Sequence, residues 1–179
     1  MELGVKYKMI KNKILDINIS TCSFNETTNL ILEWSQKKLS KYICICNTHS
    51  LVTSKESRQF KEALENADLC TADGMPLVWA SKINGHKEQQ RVDGPNLMLE
   101  LCRQSLDKNV SIFLYGSTPE NLKKLKYTLE LKFKGIHIVG ILSPPFRDGN
   151  PEVDFEDMKI IKESGANLIF VALGCPKQE

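Results

Sequence analysis

The chain has 179 residues, 41% hydrophobic and 26% charged, which gives enough length and apolar content for a real core and excludes a disordered chain. Its 24 basic and 22 acidic residues leave a formal charge of +2, which gives no case for nucleic-acid binding. No apolar run approaches the roughly 20 residues needed to span a bilayer, and the charged N-terminal stretch, residues 1–13, has no signal-peptide apolar segment, so the expected compartment is the cytoplasm.

Residues 13–20 alternate, with Leu15, Ile17 and Ile19 on one face, and predict a half-buried strand. Ser23 or Asn25 can cap the next helix, whose apolar face includes Leu30, Ile31 and Trp34. Tyr42-Ile43-Cys44-Ile45-Cys46 reads as a short buried strand ending in a polar turn, Asn47-Thr48-His49-Ser50. A helical stretch with Phe60, Leu64 and Ala67 follows, then a strand over residues 67–71 that delivers the chain to Asp73. The six cysteines include no CxxC pair and there are only three histidines, so a zinc site is not expected and buried thiols in a reducing compartment are.

Asp73-Gly74 is a turn dipeptide, because glycine accepts positive φ, and Pro76 suits the first turn of a helix. That helix carries Leu77, Val78, Trp79 and Ile83 and stops at Asn84-Gly85. Residues 86–91 are polar and read as exposed. Asp93-Gly94-Pro95 opens a helix with Leu97, Met98, Leu101 and Cys102 inward. Residues 110–115 form a strand that runs into Gly116-Ser117-Thr118-Pro119, a capped helix start with Pro at its first position. Leu122, Leu125, Leu129 and Phe133 mark that helix's buried stripe. A strand over residues 136–142 and an irregular loop, Ser143 to Pro151, come next. A helix through Val153, Met158 and Ile161 follows, and then a last strand over residues 167–173 that enters Gly174-Cys175-Pro176-Lys177-Gln178-Glu179.

Strands alternating with helices over short connections predict one α/β domain, residues 1–179. It should be Rossmann-like and doubly wound, with a largely parallel sheet and helices on both faces. In such sheets ligands sit beyond the carboxyl ends of the strands. The turns at Asn47-Thr48-His49, Asp73-Gly74, Gly116-Ser117, Pro144-Pro145-Phe146 and Gly174 to Gln178 should therefore share one edge. Helix N-termini there suit a diphosphate, so a nucleotide or nucleotide-sugar ligand is expected. There is no GxGxxG, no GxxxxGK[ST] and no GxSxG, which disfavours a dinucleotide-binding oxidoreductase, a P-loop protein and an α/β hydrolase. No Asp-x-Asp pair offers ligands for a divalent metal on a diphosphate.

From about Ile43 to the end, the chain resembles the bacterial WecG/TagA/CpsF glycosyltransferases of wall teichoic acid, capsule and exopolysaccharide synthesis. The resemblance is carried by five pieces in order: Ala72-Asp73-Gly74-Met75-Pro76-Leu77-Val78; Arg91-Val92-Asp93-Gly94-Pro95-Asn96-Leu97; Phe113-Leu114-Tyr115-Gly116; Ile138-Val139-Gly140 with Pro145-Phe146; and Leu173-Gly174-Cys175-Pro176-Lys177-Gln178-Glu179. It implies an inverting transfer of N-acetylmannosamine or a related sugar from a UDP-sugar to a polyprenyl-diphosphate-linked amino sugar. It also implies no metal or other cofactor, and work at the inner face of the cell membrane.

The resemblance makes Asp73 the base and Arg91 the cation that meets the diphosphate. The resemblance also matches Gln178, and Asn47, Thr48, His49, Gly74, Pro76, Gly116, Ser117, Pro145 and Gly174, in the strand-end turns, complete the expected substrate-binding set. The family usually has Thr-x-Asn after its second strand, where this chain has Asn47 and His49 flanking Thr48. The family also continues past the Pro-Lys-Gln-Glu motif, so a truncated form is expected, with exposed apolar surface that would favour a homo-oligomer. The rival reading from another class is a non-catalytic nucleotide-sugar-binding domain.

Overall fold

The computed structural model describes residues 10–145 and 155–179. Phe146, Pro151 and Val153 lie outside the described residues. The protein is a mixed α/β, Rossmann-like structure with parallel strand pairs. It divides into two units, residues 1–27 with 41–94 and residues 28–40 with 95–179.

The first unit opens with an antiparallel hairpin, β1 (Ile10–Ile14) and β2 (Ile17–Thr21), in which Ile14 faces Ile17. The single strand expected over residues 13–20 is therefore two strands. The chain reverses at Leu15 and Asp16, whose φ angles are 46° and 74°. A two-residue loop with both residues left-handed matches the twist of a hairpin. Leucine is a poor occupant of that region, which is why the alternation masked the turn. Ile17 and Ile19 are fully buried, whereas Leu15 is exposed.

Helix α1 (Phe24–Gln36) starts at a capping box built by Ser23 and not by Asn25. The Glu26 N–H donates to Ser23 Oγ at 3.2 Å, and the Ser23 N–H donates to Glu26 Oε2 at 2.8 Å. The Ser23 N–H, together with the Ser23 Oγ that donates to the same Oε2 at 2.8 Å, holds the Glu26 carboxyl below its ordinary range. Strands β3 (Ile43–Cys46) and β4 (Leu69–Ala72) pair in parallel with Cys44 opposite Cys70. Between them lie two helices, α2 (Thr48–Glu56) and α3 (Arg58–Asn66), hinged at Ser57. The Ser57 side chain accepts the Phe60 N–H at 3.2 Å and so starts the second helix. The polar turn expected at residues 47–50 is instead the cap and first turn of α2, because Asn47 supplies an N-cap.

Helix α4 (Met75–Ile83) buries Leu77, Val78 and Ser81 and stops at Asn84-Gly85, as expected. The following polar stretch is not uniformly exposed. Gln89 is 1% exposed, and its Nε2 donates to the Cys22 and Gln90 carbonyls.

In the second unit, α5 (Gly94–Lys108, in this unit from Pro95) precedes β5 (Ile112–Gly116), α6 (Pro119–Lys132) and β6 (Ile138–Leu142). Helix α7 (Phe155–Glu163) and β7 (Leu168–Ala172) follow, and the sheet runs β6-β5-β7, all parallel. Strand alternation sends Ile112 and Leu114 into a cluster with Cys102, Leu122, Leu129 and Phe133. Each such aliphatic side chain contributes about 1.5–3 kcal/mol by leaving water. Phe113 and Tyr115 point the other way. Phe113 lies where any side chain at Gly140 would be, and Tyr115 Oη donates to Asp157 Oδ2 of α7 at 2.8 Å. Helices thus cover both faces of this sheet. Leu125, expected in the buried stripe of α6, is 37% exposed, and Met158 of α7 is exposed as well.

None of the six cysteines is in a disulfide, and all but Cys175 are buried. Burial pushes the Cys22 thiol up and the Cys102 thiol to about 11, which keeps both protonated and unreactive.

Candidate functional site

Asp73 follows directly on β4. Its N–H donates to the Cys46 carbonyl of β3 at 2.7 Å, extending the parallel pairing past the end of the strand. Gly74 then takes φ 112° and ψ 142°, a conformation for glycine alone, and serves as the N-cap of α4. A glycine brings no side chain to the cap, so the helix start has no side-chain cap hydrogen bond from it. Pro76 has no N–H, so the Met75 and Leu77 N–H groups face the front of the helix at its positive end.

Arg91 comes back to this point from 18 residues further along the chain. Its Nη2 and Nε lie 3.1 Å and 3.4 Å from Asp73 Oδ1. The backbone places it there, since the Val92 N–H donates to the Ala72 carbonyl at 3.0 Å and Thr71 Oγ1 donates to the Val92 carbonyl at 3.3 Å. Residues 91–92 thereby run beside the end of β4. The Asp73 side chain is 22% exposed and that of Arg91 51%. Asp73 Oδ2 has no hydrogen-bond partner among the described residues, so one carboxylate oxygen is held and the other is available.

Asn47 lies next to the same strand ends, because it follows the Cys46 carbonyl that holds Asp73. Its Oδ1 accepts from the Ser50 N–H at 3.1 Å, so that oxygen is spent on capping α2. Thr48 and His49 are exposed in the first turn of α2. The first unit thus brings together Asn47, Thr48, His49, Asp73, Gly74, Pro76 and Arg91.

The second unit gathers the other expected residues at the carboxyl ends of its own strands. Gly116 has φ 113°, and a Cβ there would fall on the Ala172 carbonyl, so the close approach of β5 to β7 requires glycine. Ser117, at φ 55°, donates its N–H to the Ala172 carbonyl at 2.9 Å. Ser143 Oγ donates to the Ser117 carbonyl at 2.7 Å and ties the end of β6 to the end of β5, with Pro145 exposed two residues on. In the last turn, Gln178 Oε1 accepts the Gly174 N–H at 3.2 Å, and its Nε2 donates to Glu179 Oε1 at 3.2 Å. Gln178 and Gly174 therefore bond each other. Burial raises the Glu179 carboxyl above its ordinary range.

Thr71 orders the end of β4 in the first unit and Ser143 joins the ends of β5 and β6 in the second, and neither was legible as such. Each is a hydroxyl amid apolar or loop sequence, with no spacing that marks it. Among the described residues, no three His, Cys, Asp or Glu side chains are grouped to hold a metal ion.

Parallel α/β units with polar turns at the strand ends, one carrying a carboxylate–guanidinium pair, define a Rossmann-like protein whose candidate site residues lie at strand ends. The profile of the glycosyl transferase WecG/TagA/CpsF family matches residues 12–179, and the chain belongs to that family. It is 28% identical over 138 residues to a Bacillus spizizenii (strain W23) protein named N-acetylglucosaminyldiphosphoundecaprenol N-acetyl-beta-D-mannosaminyltransferase, a match covering 77% of this chain and 52% of the relative. It is 25% identical over 143 residues to a Bacillus subtilis (strain 168) protein of the same name, covering 80% and 54%. The chain spans about half the length of the curated relatives it matches.

Proposed function

We propose that this chain carries the catalytic centre of an inverting glycosyltransferase. It moves N-acetylmannosamine or a related sugar from a UDP-sugar to a polyprenyl-diphosphate-linked amino sugar. The polymer served is a wall teichoic acid, capsule or exopolysaccharide. The observation that carries the reading is the Asp73–Arg91 pair at the end of β4. Membership of the family and the names of the two Bacillus relatives support the substrate class.

Inversion needs a single in-line displacement. The acceptor hydroxyl oxygen forms a bond to the anomeric carbon as the bond from that carbon to the UDP oxygen breaks, and its electron pair leaves with UDP. The hydroxyl proton passes to Asp73 Oδ2, the oxygen that Arg91 leaves open. Arg91, always cationic and half-exposed, meets the negative charge growing on the diphosphate, a task that needs no metal. The open first turn of α4 adds backbone donors for the same anion. Within the first unit Thr48 and His49 are assigned to polar contacts with substrate, and within the second unit Ser117, Pro145 and Gln178 are assigned likewise, with Gln178 turning away from Gly174 to make its contact.

No helix among the described residues is long and apolar enough to cross a membrane. A lipid-linked acceptor places the reaction at the inner face of the cell membrane, and peripheral attachment there is part of this reading.

The test is a stoichiometric assay of the full protein with a UDP-N-acetylmannosamine donor and an N-acetylglucosaminyl-diphosphate acceptor on a short, water-soluble lipid. The expected result is one UDP released per disaccharide formed, with the anomeric configuration inverted. Tight donor binding with no release of UDP would instead mark a binding module and overturn the reading.

A further inference from the structure

Helix α4 is largely apolar on both its faces. Its inward face buries Leu77, Val78 and Ser81. Its outward face carries Met75, Trp79 and Ile83, which are 43%, 57% and 84% exposed and lie four residues apart on one stripe. Pro76 and Lys82 are the outward neighbours, both exposed. A helix on a soluble surface normally turns its charged side outward.

The β1–β2 hairpin is fastened to this helix. Asn12 Nδ2 donates to Ser81 Oγ at 3.0 Å, and Asn84 Nδ2 donates to Asn12 Oδ1 at 3.1 Å. The hairpin adds exposed Ile10 and Leu15, and with them Lys11 and Lys13. Lys87 follows α4 and is exposed. The acidic groups nearby are Glu88 and Asp16, and Asp16 is paired with Lys55 at 2.6 Å and with Lys13 at 3.7 Å, which leaves Lys11, Lys82 and Lys87 as the basic groups of this surface. The surface is therefore apolar and basic together.

We propose that this face of α4, with the hairpin beside it, is the surface that rests on an anionic bilayer. Met75, Trp79 and Ile83 sit among the headgroups, and Lys11, Lys82 and Lys87 lie against anionic lipid. Aromatic, aliphatic and lysine side chains on one exposed helix face are what an interfacial helix uses, and tryptophan is enriched at that depth. The placement suits the chemistry, because α4 begins two residues after Asp73. A helix lying on the surface brings that carboxylate down to the height of a sugar held one diphosphate above the lipid. This orientation rests on the reading of the acceptor as lipid-linked.

The test uses the full protein and vesicles of phosphatidylcholine with or without phosphatidylglycerol. The chain has two tryptophans, so a Trp34→Phe background leaves Trp79 as the reporter. Its emission is expected to shift to the blue with the anionic vesicles, less so at high salt. The double variant Trp79→Ser, Ile83→Ser should float with those vesicles at least about tenfold more weakly, while turnover of a water-soluble acceptor stays unchanged. Unshifted Trp79 emission, undiminished flotation of the double variant, or loss of self-association in place of vesicle binding would each overturn the proposal. If the unmodified protein turns over no soluble acceptor, the transferase reading fails, and vesicle binding still decides this one.

Discussion

The guanidinium of Arg91 puts two nitrogens, at 3.1 Å and 3.4 Å, on a single oxygen of Asp73. The pair is joined at one carboxylate oxygen, not side by side across both. A residue that served only as a surface ion-pair partner would gain little from this, since exposed pairs add about 0–1 kcal/mol to stability. The arrangement instead fixes the orientation of Asp73 while leaving Oδ2 open, and it keeps a cation within reach of an incoming diphosphate.

Arg91→Ala is therefore expected to lower kcat/KM by roughly a hundredfold while changing unfolding free energy by no more than about 1 kcal/mol. Arg91→Lys should recover only part of the rate, because a lysine cannot reproduce the two-nitrogen fork. Steady-state kinetics beside urea unfolding checks this. A loss of stability large enough to account for the lost rate would contradict it.

Two glycines of the second unit separate backbone need from steric need. Gly116→Ala puts a methyl group onto the Ala172 carbonyl at a backbone of positive φ, and an unfolding cost of about 2–4 kcal/mol is expected. Gly174→Ala meets no atom within 4 Å, so only the strain of its positive φ remains, about 1 kcal/mol. Denaturant titration of both variants should rank them in that order.

Asn47 is held as a helix cap, and its loss should show in stability before it shows in chemistry. Asn47→Ala is expected to cost about 1 kcal/mol, and Asn47→Asp to keep most of the cap. Equal stability of the alanine variant and the parent in thermal unfolding would mean that the Asn47–Ser50 capping box contributes nothing.

Leaving-group stabilisation by Arg91 also predicts indifference to chelation. Turnover should be unchanged in excess EDTA and unaffected by added magnesium. Activity that disappears with EDTA and returns with magnesium would move that role from the guanidinium to a metal.

Much of this architecture was legible because periodicity and turn chemistry agreed. Apolar runs marked β3 to β7, Asp73-Gly74 with Pro76 marked the strand-to-helix turn, and Thr118-Pro119 marked the start of α6. Legibility failed where a side chain contradicts its backbone or hides its partner. Leu15 occupies a left-handed turn that leucine rarely takes, so two strands read as one. Thr48 and His49 have weak helical preference, and only the cap at Asn47 reveals α2. Gln89 sits in a polar stretch yet is buried, because its amide satisfies a carbonyl of a distant segment, at Cys22. The site divides in the same way. Asp73 could be placed from local chemistry, whereas Arg91 stood out only through the family's motif. The contacts of Val92 and Thr71 with the end of β4 and with each other, which bring Arg91 to Asp73, are long-range and leave no mark on local spacing.

The central claim is that the open oxygen of Asp73 takes the acceptor's proton, and Asp73→Asn in the full protein tests it most directly. The amide keeps the shape and an oxygen for Arg91 but cannot serve as the base. UDP release should fall by about a hundredfold to ten-thousandfold, with the dissociation constant for UDP within a few-fold of the parent's. Turnover near that of the parent would show that another group removes the proton.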